Sequence, residues 1–280
     1  MGCGSSTLKY QKSNPAVEIA CPEGALVVQP GLNSFSLAVK DAKENTMEIW
    51  YNKLSGIYSL GQAAAKAKEK SIDCLFLLPG VHDEKGQHVE IDFPLKVVGQ
   101  NRDDVKIRGG LHITGKKEED VFFRDCTVTG AKGCGVWGDK GASLHLKNVC
   151  VEKSGYSGSG VVLLGTTRNT MTDCNVNNNM GSGVSVQFGG IMTIDGRATT
   201  INRNCTGGAN CDYGMDADTG SSILLNSVTK KLISTNNGGG GNYGGDGTIE
   251  DLRRKKAREK AARVNYRNSI QACARGSIHM

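Results

Sequence analysis

Three stretches of the chain repeat one pattern: residues 122–136 read FFRDCTVTGAKGCGV, 144–161 read LHLKNVCVEKSGYSGSGV and 171–184 read MTDCNVNNNMGSGV. Asp125, Asn148 and Asp173 lie 23 and 25 residues apart, and Val128, Val151 and Val176 keep the same intervals. Gly135-Val136, Gly160-Val161 and Gly183-Val184 repeat at 25 and 23. A period of about 24 is too short for helical repeats and suits one coil of a solenoid. Within each copy, β-branched runs such as Val149-Cys150-Val151 and Val161-Val162-Leu163 alternate with Asn, Asp, Ser and Gly, so the unit is made of strands and turns. Such a unit cannot bury its apolar side alone, and successive coils must stack with each strand parallel to its equivalents. The expected fold is therefore an all-β parallel β-helix. The Asp/Asn column marks a sharp bend where a short polar residue tolerates unusual backbone angles and bonds nearby backbone. The Gly column marks a second bend with no room for a side chain. Cys126 and Cys174 align with Val149 and should point inward as small hydrophobes.

Upstream, residues 60–70 are rich in helix formers and Ser59 is a suitable N-cap, which predicts a helix laid across the raw end of the solenoid. Strands follow at Cys74-Leu75-Phe76-Leu77-Leu78, closed by Pro79-Gly80, then at Val89-Glu90-Ile91, Leu95-Lys96-Val97-Val98-Gly99, Val105-Lys106-Ile107 and Leu111-His112-Ile113-Thr114. The series SLGQAAAKAKEKSIDCLFLLPGVH, VEIDFPLKVVGQ and VKIRGG resembles the opening of pectin-lyase-like right-handed β-helices. The three copies after it resemble the carbohydrate-binding and sugar-hydrolase repeat of that superfamily, which also occurs in F-box proteins without sugar chemistry. The resemblance covers about residues 58–249 and implies a right-handed winding with ligands along one sheet. It does not select a function, because this scaffold hosts lyases, hydrolases, epimerases and binding modules.

These signals divide the chain into a flexible N-terminus at 1–12, an appendage at 13–57, the β-helix at 58–235, a Gly-rich linker at 236–247 (NNGGGGNYGGDG) and a basic C-terminal helix at 248–275. The net charge of +6 is local. Between Arg253 and Arg267 eight Lys/Arg stand against the single acid Glu259, giving +7 and leaving the rest of the chain at −1. Ile249, Leu252, Val264 and Ile270 give that segment only a thin apolar stripe. It suits a solvated helix docked by one edge, or a polybasic helix on an anionic membrane surface. Nucleic acid is not favoured, since no aromatic interleaving accompanies the charge. Met1-Gly2-Cys3-Gly4-Ser5-Ser6 fits the N-myristoylation pattern at Gly2, with Cys3 as a palmitoylation acceptor, and also suits a plain small-residue terminus. No secretory signal or span of about 20 apolar residues is visible. The expected location is therefore cytoplasmic, anchored to a membrane face if acylated. The ten cysteines are scattered without a CxxC pair, so neither a disulfide framework, a zinc site nor any cofactor is expected.

Ligand positions follow from alternation. With Val136, Val161, Val184 and Met215 inward, one outward column holds Trp137, Val162, Ser185 and Asp216, and the next holds Asp139, Leu164, Gln187 and Asp218. Trp137, Asp139, Gln187, Tyr213, Asp216 and Asp218 are the binding candidates, for a protein or a glycan. Asp216 and Asp218, two apart on one face, are weak candidates for a glycosidase carboxylate pair. Tyr213-Gly214-Met215-Asp216-Ala217-Asp218 is similar to the Tyr-Gly-Phe-Asp-Pro-His motif of mannuronan C5-epimerases, which would carry a tyrosine and an acid onto Tyr213 and Asp216. Asp218 replaces the histidine of that motif, which removes a principal acid/base group. His82, His88, His112 and His145 lack paired spacing and read as surface or strand-edge residues. The expected molecule is a monomeric binding or scaffolding protein, with a polysaccharide lyase or epimerase as the alternative.

Overall fold

Each repeat closes one coil, and each coil contributes a strand to three faces. The computed structural model describes residues 59–264 except 140, 157, 210, 211, 254 and 256–258. It also describes Ala25–Val28 and the strand backbones Ser5–Tyr10, Val17–Pro22, Phe35–Lys40 and Met47–Asn52. The first face stacks Cys74–Leu77, Leu95–Gly99, Asp120–Arg124, Ser143–Lys147, Asn169–Thr172, Ile191–Asp195, Ser222–Leu225 and Thr248–Asp251 in parallel. The second begins with the first half of Gly80–Ile91, paired with the first half of Val105–Ile113, and runs through Thr127–Thr129, Cys150–Glu152, Asn175–Asn177, Thr200–Asn202 and Ser234–Thr235. The third begins with the second half of Gly80–Ile91, paired with the second half of Val105–Ile113, and runs through Val136–Gly138, Val161–Leu164, Val184–Gln187, Tyr213–Ala217 and Gly241–Gly244. Val128, Val151 and Val176 sit directly above one another, as do Val136, Val161, Val184 and Met215, and all are fully buried. Cys126, Val149 and Cys174 are also fully buried in this core.

Two bends make the winding possible. At the first, Asp125, Asn148 and Asp173 hold φ of 56°, 51° and 52°. Their side chains link coils: Asn148 Nδ2 donates to Asp125 Oδ1 at 2.7 Å, and Ala198 N donates to Asp173 Oδ1 at 3.2 Å. At the second, Lys153, Asn178, Arg203 and Asn236 take φ of 54–56°. That turn directs the next residue, Ser154, Asn179, Asn204 or Asn237, toward the core. An asparagine ladder results. Asn179 Oδ1 accepts from Ser154 N at 3.0 Å, and Asn204 Oδ1 accepts from Asn179 N at 3.3 Å and Nδ2 at 2.8 Å. Asn237 Oδ1 accepts from both nitrogens of Asn204 at 3.0 Å. Each amide also donates to a core-strand carbonyl: Asn179 to Val151, Asn204 to Val176 and Asn237 to Ile201. The Gly column follows from this ladder. A Cβ on Gly160 would stand 2.7 Å from Asn179 Nδ2, and one on Gly183 2.8 Å from Asn204 Nδ2.

Ser59 caps the helix Leu60–Glu69 in a capping box with Gln62, and Leu60, Ala63, Ala64 and Ala67 seal the end of the core. Within 13–57, Leu26–Val28 joins the first-face sheet parallel to Cys74–Leu77, and Phe35–Lys40 and Met47–Asn52 continue it antiparallel. Several boundaries read from the sequence change. Ser5–Tyr10, inside the segment expected to be flexible, is a strand paired with Val17–Pro22. The stretch 236–247 is not a linker: Gly241–Gly244 is the last strand of the third face. Its glycines admit neighbouring side chains, since a Cβ on Gly244 would meet the Tyr213 ring at 2.3 Å and one on Gly245 would meet Asp216 Oδ1 at 2.7 Å. The basic segment begins as a strand, Thr248–Asp251, with Ile249 packed against the core, and its described residues 252–253, 255 and 259–264 have helical backbone. His82 is not a surface residue; it is 3% exposed and its Nε2 donates to the Leu78 carbonyl at 3.0 Å.

Asn179→Ala leaves the Ser154 N–H unpartnered in the core and is expected to cost about 1–3 kcal/mol by chemical denaturation. At the first bend Asn148→Ala should cost more than Asn148→Gly by about 1 kcal/mol, because alanine is strained at φ of 51° and glycine is not. Equal costs for the two Asn148 variants would contradict this account of the bend.

Candidate functional site

The outward side of the third face carries the polar and aromatic groups. Registration places Glu90, His112, Trp137, Val162, Ser185 and Asp216 in one column across six coils. At the N-terminal end the His112 and Trp137 rings stack with centroids 4.3 Å apart and planes 18° from parallel. Asp139 follows the Trp137 strand and brings Oδ2 to 3.3 Å from His112 Nε2, within ion-pair reach but out of line for a hydrogen bond. His112 Nε2, Trp137 Nε1 and Asp139 Oδ1 are all buried without a hydrogen-bond partner. Buried polar groups are nearly always partnered, so three such atoms in one place single out this spot on the third face.

At the other end, Gln187 Nε2 donates to Ser185 Oγ at 3.1 Å and Ser185 Oγ donates to Asp216 Oδ2 at 3.4 Å. Burial pushes the half-buried Asp216 carboxyl above the usual carboxylate range; the Ser185 hydrogen bond opposes this, and Asp212 and Asp218 reinforce it. The Tyr213 ring lies over Gly244, the register partner of Asp216, so Tyr213 and Asp216 share this end. Asp218 stands beyond the strand end, exposed, with Oδ1 accepting from Thr219 N. Val162 and Leu164 separate the two ends. The structure thus groups Trp137 with Asp139, and Gln187 with Asp216 and Tyr213, but does not merge the groups.

Sequence reading missed His112. It lies 25 residues before Trp137, in the same column, and extending the repeat one coil upstream would have found it. The buried thiols are not nucleophiles: burial pushes Cys174 to about 12 and Cys150 to about 11, and Cys126 is also raised, chiefly by burial. Among the described residues no group of three or more His, Cys, Asp or Glu is placed to hold a metal ion. Nor is any helix among them long and apolar enough to cross a membrane. Gly2, Cys3 and much of Arg253–Arg267 lie outside the described residues.

The solenoid and its ladders place the chain in a class. The family model described as "right handed beta helix region" matches residues 80–229, more than half of the sequence, and the chain belongs to that family. Among curated proteins no sequence matches it. Two solved structures are similar to it. One is the catalytic domain of a GH87 α-1,3-glucanase in complex with tetrasaccharides, 12% identical with a TM-score of 0.35, covering 69% of this chain and 38% of that one. The other is the A-module of a mannuronan C-5 epimerase from Azotobacter vinelandii, 11% identical with a TM-score of 0.23, covering 70% of this chain and 95% of that one. At these values the likeness says nothing about chemistry.

The raised Asp216 carboxyl has a consequence for stability. Its folded value lies above its unfolded one, so the stability it contributes is greatest below the unfolded value and falls as pH rises through the folded value. Asp216→Asn should therefore melt at a higher temperature than wild type at about pH 7, and the difference should close at about pH 3. A variant less stable than wild type at neutral pH would contradict the burial assigned to this carboxyl.

Proposed function

We propose that the chain is a β-helix binding protein whose third face takes an extended, hydroxyl-rich polymer, a glycan, lying across the coils. The observation that carries this reading is the cluster of His112, Trp137 and Asp139 with its three unpartnered buried polar atoms. Sugar hydroxyls both donate and accept, and they suit such a mixed set. The column from Glu90 to Asp216 spans five coil steps, on the order of 24 Å at the usual strand spacing, long enough for several sugar rings. Catalysis is less well supported. Asp139 and Asp216 stand three coil steps apart, about 14 Å, beyond the roughly 5–9.5 Å that glycoside hydrolysis requires of its two carboxyl groups, and Asp218, near enough to act on Asp216, is exposed beyond the strand end with Oδ1 bonded to Thr219 N.

A second reading, a carbohydrate-active enzyme of lyase or epimerase type, is favoured by one observation: Asp216 retains its proton more readily than an ordinary carboxyl and sits beside Tyr213. Incubation with alginate and pectin separates the two. The binding reading expects no unsaturated product and no change in uronate composition; turnover lost in Asp216→Asn would replace it with the enzyme.

For binding itself, glycan-array screening followed by calorimetry should find a ligand whose affinity falls at least about tenfold in Trp137→Ala, the loss of a central aromatic anchor. Ligand binding indifferent to Trp137 would move the site elsewhere. The proposal also includes a tether, acylated Gly2 and Cys3 acting with the basic segment Arg253–Arg267 on the cytoplasmic face of a membrane, because one acyl chain alone holds weakly. Wild type is expected in the membrane fraction and Gly2→Ala in the soluble one; the same fraction for both would remove the tether.

A further inference from the structure

The first face, remote from the glycan candidates, carries a pattern that the binding role does not use. Its central outward column reads Lys96, Phe122, His145, Thr170, Thr193, Leu224 and Glu250 in strict register. The adjacent column reads Val98, Arg124, Lys147, Thr172 and Asp195, with Asn226 hydrogen-bonded to Asp195 at the next coil. Lys96, Arg124 and Lys147 put a cation in each of the first three coils, and the acids Asp195 and Glu250 stand in the fifth and seventh. Phe122 stacks on His145 with centroids 4.4 Å apart and remains 39% exposed. A groove of about 330 Å³ runs beside it, lined by Lys96, Phe122, Arg124, His145, Lys147 and Thr170.

Both columns are self-complementary about the coil of Thr170 and Thr172. We infer that two copies of the chain pack first face to first face about a two-fold axis running along the strand Asn169–Thr172. The rotation keeps each column on itself and reverses the order of coils. It sets Lys96 against Glu250 of the second copy, Phe122 against Leu224, His145 against Thr193 and Lys147 against Asp195, while Thr170 and Thr172 meet their own equivalents. A two-fold interface requires this reciprocity, in which each contact occurs twice. Leu224 of the second copy enters the groove beside Phe122.

The charges are available for these contacts. Lys147 has no ion pair among the described residues. Asp195 is held ionised by Ser227, Asn226 and the Gly196 N–H, which keep it below the usual carboxylate range. Lys96, Arg124 and Glu250 have local partners in Asp73, Asp125 and Lys255, and in each pair the cation is well exposed, so the ions are held weakly. Arg168 would meet its equivalent near the axis, but its guanidinium is already neutralised by Asp120 at 2.7 Å. An anionic ligand would engage the basic half alone and leave the acidic half unexplained, whereas a second copy uses both.

The strip is about 29 Å long at the usual strand spacing and only about two columns wide, so the dimer belongs to the small, weak class of interfaces. Sedimentation of the full chain should show a concentration-dependent dimer dissociating on the order of 10–100 μM. Lys147→Asp should weaken it at least tenfold, and Phe122→Ser, at an exposed site, should do the same without lowering the melting temperature. Mixing Lys147→Asp with Asp195→Lys should restore association, since both cross-contacts then join opposite charges. If Asp195→Lys fails to fold, the Phe122→Ser arm decides alone. A wild type that stays monomeric throughout this range, or self-association indifferent to both Lys147→Asp and Phe122→Ser, would overturn the inference. So would Lys147-dependent binding of polyglutamate or polygalacturonate by a chain that does not self-associate.

Discussion

The fold rests on satisfying backbone polar groups from one coil to the next. A single coil buries few of its own amides, and along the strands the N–H and C=O groups find partners only above and below. Where the chain turns between the second and third faces that ladder would lapse, and the asparagine stack through Asn179, Asn204 and Asn237 replaces it inside the core. A buried, fully bonded polar stack fixes register more strictly than apolar packing does, because a slip of one residue would strand several donors at once. The glycine column and the turn of chain at 236–247 both follow from it, the former by giving the amides room and the latter by closing the stack with Asn242, whose Oδ1 accepts from both nitrogens of Asn237 at 3.1 Å.

Once register is fixed, the outer surface becomes a set of columns with side chains one strand spacing apart. Residues about 25 positions apart in sequence become neighbours, and this brings His112 onto Trp137 and Phe122 onto His145. The third face concentrates unpartnered polar atoms, and the first concentrates separated charge. The solenoid can support both without conflict, since they point in different directions from one core.

Much of this was legible in the sequence, for identifiable reasons. Asp125, Asn148 and Asp173 announce the first bend because Asp and Asn are the side chains that accept positive φ most readily, and the valine and glycine columns announce the core and second bend. The asparagine ladder was not legible. Its turn is made by Lys153, Asn178, Arg203 and Asn236, and neither lysine nor arginine signals a left-handed residue. In the run Asn177-Asn178-Asn179 nothing local says that only the third amide enters the core stack. The Gly-rich end misled for a related reason: composition alone cannot separate a flexible stretch from a strand whose glycines yield to Tyr213 and Asp216. At the candidate site, Trp137, Asp139, Gln187 and Asp216 were placed on one face by alternation, while the hydrogen-bond chain through Ser185 needed coordinates.

The claim on which all of this depends is that successive repeats lie in register at a constant rise. Pulsed electron resonance between spin labels on the central column of the first face tests it most directly, in dilute protein so that only one chain is read. Labels at Lys96 and Thr193 are expected about 19 Å apart and labels at Lys96 and Glu250 about 29 Å apart, growing by about 4.8 Å per coil. Distances that do not grow with coil number, or a broad distribution between Thr193 and Glu250, would contradict the stacked winding and the surfaces read from it.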